Sequence, residues 1–201
     1  MARSGRAWVN SNLMIMIGRL REATRKLHEE IEKENQASKI INHSITLEEY
    51  KLLLLQNYIA YRVTENEIAR YLSNYPATKH KQLEKDLISL NVDRSIAAKF
   101  DREFTCHNEA EALGAAYVVE GSAMGGLMIG RELQKCSQLS HLDPQHFFSG
   151  KRDDVKNWNL FKKRLENRHF SEEEESMALE KAKGTFRFFG KVFSTAGKTA
   201  I

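Results

Sequence analysis

Two prolines in 201 residues, Pro76 and Pro144, leave this chain free to run helix after helix. Proline removes an amide donor and clashes with the preceding turn. Its scarcity, beside long stretches rich in Leu, Glu, Lys and Ala, excludes a β-sandwich or a collagen-like polymer and points to an all-α fold. The length suits one globular domain whose core stands without disulfides or a structural metal. No continuous apolar run approaches the roughly 18 residues of a membrane span, and mean hydropathy is −0.53. Cys106 and Cys136 match neither a zinc spacing nor a multi-bridge secreted framework. They read as buried small hydrophobes in a reducing compartment, so a soluble, cytoplasmic protein is expected.

The net charge is +4. Lys and Arg interleave with Glu along nearly every segment and build no basic stripe, which argues against a nucleic-acid partner. A modest positive excess suits an anionic small ligand or an acidic protein partner.

Apolar positions Leu20, Ala23, Leu27 and Ile31 recur at helical spacing and predict a first amphipathic helix. Residues 1–17, with Arg3 and Arg6 and no acid, read as a loose N-terminal extension to a domain spanning 18–201. An early start codon or a weak transit signal is the alternative for that segment. Thr46 with Glu49 forms a capping box ahead of a long helix through Leu53, Tyr58 and Tyr61, which Asn74 to Pro76 must end. A helix follows through Leu83 to Leu90, and Asp93 can cap a short one. Asn108 with Glu111 opens the next, His141 to Gly150 is a loop, and a helix surrounds Trp158, Phe161 and Leu165. Ser171 with Glu174 boxes the start of the last helix.

The segment from Asn108 to about Leu139 is helix-compatible except for its glycines. Gly114, Gly121, Gly125, Gly126 and Gly130 are five of the chain's eleven, within seventeen residues. Each costs a helix roughly 1 kcal/mol relative to alanine, so something besides stability placed them there. A helix wall without side chains admits either a planar ligand or a neighbouring backbone, and Gly125–Gly126 in mid-helix favours a kink. No preceding strand and no G-x-x-x-x-G-K-[ST] spacing exist, so the run is neither a phosphate loop nor a dinucleotide fingerprint.

On the first helix, projection at about 100° per residue puts Arg21 and His28 on one flank of the apolar stripe, with Arg25 a little further round. A neutral imidazole can ligate iron and guanidiniums pair with carboxylates, a combination that suits heme. A helix-edge histidine with solvated arginines is the alternative from this helix alone.

LREATRKLHEEIE at residues 20–32 and YVVEGSAMGGLMIG at 117–130 resemble the proximal and distal helices of the biliverdin-producing heme oxygenases, particularly their bacterial branch. The resemblance runs loosely over residues 18–198, with an aromatic-bearing helix last. It implies a single-domain multi-helix bundle holding heme between a proximal helix and a kinked, glycine-rich distal helix. His28 stands at the axial iron ligand, Arg21 and Arg25 near the propionates, and Lys162 aligns with a family lysine near a propionate. Gly125 and Gly126 match the distal pair over the iron, with Ser122 beside them, and Phe186 and Phe193 match heme-wall contacts. Phe188 and Phe189 read as core.

Animal-type members carry an aspartate where this sequence has Ser122, so their proton route does not transfer. Backbone carbonyls and water are left to serve, with Glu120 either as a support or as a helix carboxylate pointing away. The resemblance further implies heme as both substrate and cofactor, O2 as oxidant, and biliverdin, CO and ferrous iron as products. No flavin or nicotinamide motif is present, so electrons are expected from an external donor, a ferredoxin or other reductase. A phytochrome is a candidate biliverdin acceptor. A non-catalytic heme carrier or sensor is the alternative function; a helical interaction protein without heme leaves the clustered glycines unexplained.

Overall fold

Local signals set several of the helix starts. A computed structural model describes residues 4–34, 36–149 and 153–199, with side chains at 16–33, 36–149 and 155–196. Among the described residues all regular structure is helical: α1 (Ser4–Glu34), α2 (Ala37–Ile41), α3 (Leu47–Tyr71), α4 (Lys79–Ser89), α5 (Glu109–Gly121), α6 (Ala123–Leu133), α7 (Asp153–Glu166) and α8 (Glu172–Thr199), with 3₁₀ turns at Ser95–Phe100 and Ser137–Leu139. The expected all-α class is what is found. α1 reaches back into the segment for which an extension was expected.

Three of the sequence's helix starts show the capping geometry that predicted them. Thr46 and Glu49 bond reciprocally to each other's backbone amides, as do Ser171 and Glu174, and the Asn108 side chain accepts from the Glu111 amide. Asp93 accepts from the Ser95 amide, 3.0 Å away, at the start of the 3₁₀ turn.

α8 is the centre of the bundle and packs on α5, α1 and α3, while α4 packs on α3. The α5–α8 crossing is close because Gly114 has no side chain: a Cβ there would run into the Ala178 carbonyl. α7 is tied in by charge. Arg164 and Arg168 grip Glu109 at the start of α5, at 3.1 and 2.8 Å, and Arg168 also reaches Glu174 on α8 at 2.6 Å. Leu20, Leu54, Ile59, Leu113 and Val192 are fully buried in the shared core, each contributing about 2 kcal/mol by area removed from water.

The stretch Glu109–Leu133 is more apolar than a search for unbroken runs suggests, with a mean hydropathy of 1.4 over its most apolar window. It is a core element of the bundle: half of that window is buried, and it bends at Ser122, where α5 ends and α6 begins. The bend was expected at Gly125–Gly126 and comes before them. The Ser122 hydroxyl donates to the Val119 carbonyl at 2.8 Å, competing with the helix's own ladder, whereas Gly126 keeps an ordinary helical bond to the Ser122 carbonyl at 2.9 Å.

Candidate functional site

α1 turns Leu20 and Thr24 into the core and leaves Arg21, Arg25 and His28 facing out. The His28 side chain is 56% exposed, with Nδ1 3.5 Å from the Glu32 carboxylate one turn on. Its ring meets Phe186 of α8 edge to face, 5.6 Å between centroids. With Nδ1 directed at its own helix's carboxylate, Nε2 is the nitrogen available to a ligand.

Arg21 lies by the phenol of Tyr117 on α5. Burial pushes that phenol's pKa up, against the opposing pull of Thr24 and of Arg21 itself. Tyr117 packs on Trp158 of α7, 6.1 Å between centroids, and the Lys162 ammonium sits over the Trp158 ring at 5.7 Å. Arg21 and Lys162, 141 positions apart in sequence, thus close the two ends of one row. Arg25 pairs with Glu22 at 3.3 Å on the same exposed surface.

α5 and α6 carry a second open face. A Cβ built on Gly121, Gly125 or Gly126 meets no described atom within 4 Å. The open strip continues through Met124 and Met128, 58% and 51% exposed. Backbone packing therefore explains Gly114 and not these three. α1 and α6 are linked chiefly through α2 and α7.

Phe193 is buried on the part of α8 that faces α3, where Gln56 donates to its carbonyl at 2.7 Å and Phe189 lies 6.1 Å away. Phe189, expected to be plain core, packs on the Tyr61 ring at 5.4 Å. Tyr61 in turn donates to the Ser122 hydroxyl at 2.8 Å. No local pattern signals this: Tyr61 reads as one more buried position of a long helix, and the bond spans 61 residues. Glu120 does not point to solvent. It is buried, accepts from Tyr75 at 2.7 Å and lies 3.9 Å from the Lys79 ammonium.

Two cavities lie apart from these residues. One of about 650 Å³ sits between α4, the end of α6 and the loop from Leu139 to Ser149. The other, about 700 Å³, runs along α8 beside Glu103, Phe104 and Thr105.

The heme oxygenase family model matches residues 15–195. The chain belongs to the heme oxygenase family. It is 27% identical over 204 residues to the heme oxygenase of Takifugu rubripes, covering 89% of this chain and 73% of that protein. The fold is also that of solved bacterial heme oxygenases. The NO- and CO-bound enzyme of Neisseria meningitidis superposes with a TM-score of 0.68 at 19% identity, covering 90% of this chain and 91% of that one. The Synechocystis enzyme in complex with heme gives 0.66 at 17%, over 89% and 90%, and the Leptospira interrogans enzyme 0.69 at 16%, over 89% and 98%. The family model assigns the family, and a vertebrate relative beside three bacterial structures chooses no branch. As a heme oxygenase, the protein degrades heme.

Proposed function

We propose that this heme oxygenase opens the porphyrin ring with O2 and electrons from an external donor, releasing biliverdin, CO and ferrous iron, and that the substrate lies between His28 and the glycine face of α6. One observation supports this above the others: an outward imidazole on α1 and a strip on α5–α6 at which even a methyl group would meet nothing. The residues fit heme. Nε2 of His28 supplies the neutral nitrogen donor, and Phe186 fixes the plane of the imidazole from the side. Arg21, Arg25 and Lys162 supply cations for two propionates, with charge-assisted bonds of roughly 1.5–3 kcal/mol each when well made. Phe193 would close the buried end of the wall. We assign the heme-binding domain to residues 18–201 and the bacterial branch to the chain, on the pattern of 117–130.

When bound, heme supplies the oxygen chemistry, and the protein sets access, polarity and orientation. Gly121, Gly125 and Gly126 would let the backbone of α5–α6 approach a bound heme and would leave space above it. Ser122 donates to Val119 and accepts from Tyr61, which leaves one hydroxyl lone pair for a water. A water held there is a weak acid at a fixed place, able to pass a proton without the strong side-chain acid that would divert the oxygen from the ring. Cations at the propionates fix the in-plane orientation and hence which meso carbon faces that water.

An acidic ferredoxin fits the net charge of +4 as donor, and two free, buried cysteines fit a cytoplasmic setting. A phytochrome is the acceptor we would test for the product. The deciding experiment titrates hemin into wild type and His28→Ala, then adds reductant under air. We expect a sharp Soret band and biliverdin's red absorption for the wild type and neither for the variant. A wild-type spectrum in His28→Ala, lost instead on changing His43, His107, His141 or His146, overturns the assignment.

A further inference from the structure

Behind the α5–α6 bend lies a buried polar cluster that the proposed chemistry does not use. Glu65 of α3 accepts from the Lys79 and His80 amides, at 3.1 and 2.8 Å, and meets the His80 ring at 2.6 Å. That fixes the first turn of α4 and carries the Lys79 ammonium, 2% exposed, inward to 3.9 Å from Glu120. The other Glu120 oxygen accepts from Tyr75 at 2.7 Å. Burial first, and then the charges of Glu120 and Glu65, hold the Tyr75 phenol well above its ordinary pKa, so it stays a donor; Tyr61 also acts on it electrostatically.

Two carboxylates and an ammonium are costly to bury, and an apolar filling of equal volume is often as stable. Stability alone is therefore a poor account of the cluster. Its position supplies a better one. Glu120 immediately precedes Gly121 and Ser122, and on the open side Gly121, Gly125 and Gly126 have nothing to pack against. A bend without packing on one face can be fixed only from the other.

We propose that Glu120 and Tyr75 are positioning residues: the Tyr75–Glu120–Lys79 contact clamps the last turn of α5 from behind and so holds the Ser122 bend and the direction of the Tyr61–Ser122 hydroxyl pair. This rests on the distal role proposed for Ser122 and the glycines. Neither Glu120 nor Tyr75 touches the substrate in this scheme. Both act through where Ser122 stands.

The test uses the full chain loaded with ferric heme and follows the midpoint pH of its acid-to-alkaline absorption change, together with apoprotein melting and the biliverdin isomer ratio. Tyr75→Phe and Glu120→Gln each should move the midpoint by about half a pH unit or more, a threefold change in ionisation constant, and raise the minor isomers. Lys79→Met combined with Glu120→Gln, which leaves no uncompensated ammonium, should melt above Glu120→Gln alone. A lowered melting temperature with midpoint and isomers unchanged means a purely structural cluster and overturns the proposal. Should Glu120→Gln fail to fold, Tyr75→Phe, which deletes one oxygen, decides by the same midpoint. Gly125→Leu separates the two layers of inference. If it leaves the ferric spectrum untouched, the distal assignment fails and takes the clamp with it. If it alters the spectrum while Tyr75→Phe does not move the midpoint, only the clamp fails.

Discussion

Gly114 and Gly125 are the same residue type, eleven positions apart on one apolar stretch, with opposite reasons to lack a side chain. At Gly114 a methyl group collides with the Ala178 carbonyl, so Gly114→Ala must push α5 from α8 and should cost about 1–3 kcal/mol. At Gly125 the same methyl enters open space on a helix, and removing backbone freedom from the unfolded chain should gain about 0.4–1 kcal/mol. Apoprotein melting of the two variants should therefore move in opposite directions, while biliverdin formation slows in Gly125→Ala. Sequence alone treated the five glycines as one signal, because what separates them is the neighbour across the gap. Cys106 was legible as a buried small hydrophobe. Burial outweighs the nearby Lys181 and pushes its thiol up to about 12. It should stay unalkylated by iodoacetamide at pH 8 in the native protein and react once denaturant is added.

Capping boxes at Thr46 and Ser171 were legible because all their partners lie within three residues. The bend at Ser122 falls three to four residues before the expected Gly125–Gly126 because its cause includes Tyr61, a whole helix away. The loop from Ser140 to Ser149 shows the same limit. Its composition marks it as a loop, yet what holds it is Asp86 of α4, which accepts from the His146 and Phe147 amides at 2.7 and 2.9 Å. Phe147 in turn packs on Tyr61 at 5.4 Å. Asp86→Ala should cost about 2–4 kcal/mol by stranding two amides and loosening that ring. Burial raises the Asp86 pKa more than those amides lower it. The carboxyl's contribution is thus fully present below its unfolded pKa near 4 and is lost as pH rises through its higher folded value. Urea unfolding across that range should show the wild type's advantage over Asp86→Asn largest in acid and shrinking toward neutrality.

For the molecule as a whole, the class and element order could be read from proline scarcity, periodicity and caps. The pairing of α1 with α8 and the charge-tied seat of α7 could not, since they depend on contacts such as His28 with Phe186 and Arg168 with Glu109 that no local pattern encodes. α1 and α6 are joined mainly through third elements, so a ligand gripped by both is a new cross-brace. Saturating heme at a hundred times its Kd should add about 2.7 kcal/mol. For a chain this long that is a rise in Tm of about 5–10 °C, measurable by differential scanning fluorimetry and absent in His28→Ala.

Met124 and Met128 give that brace a cost in time. Both are exposed beside the glycine strip, and under the proposed function a substrate that covers them would do so only until it is degraded. The protein's half-life in a cell should then follow the heme supply: starved molecules, showing sticky thioethers and lacking their brace, are the ones that proteases and aggregation remove first.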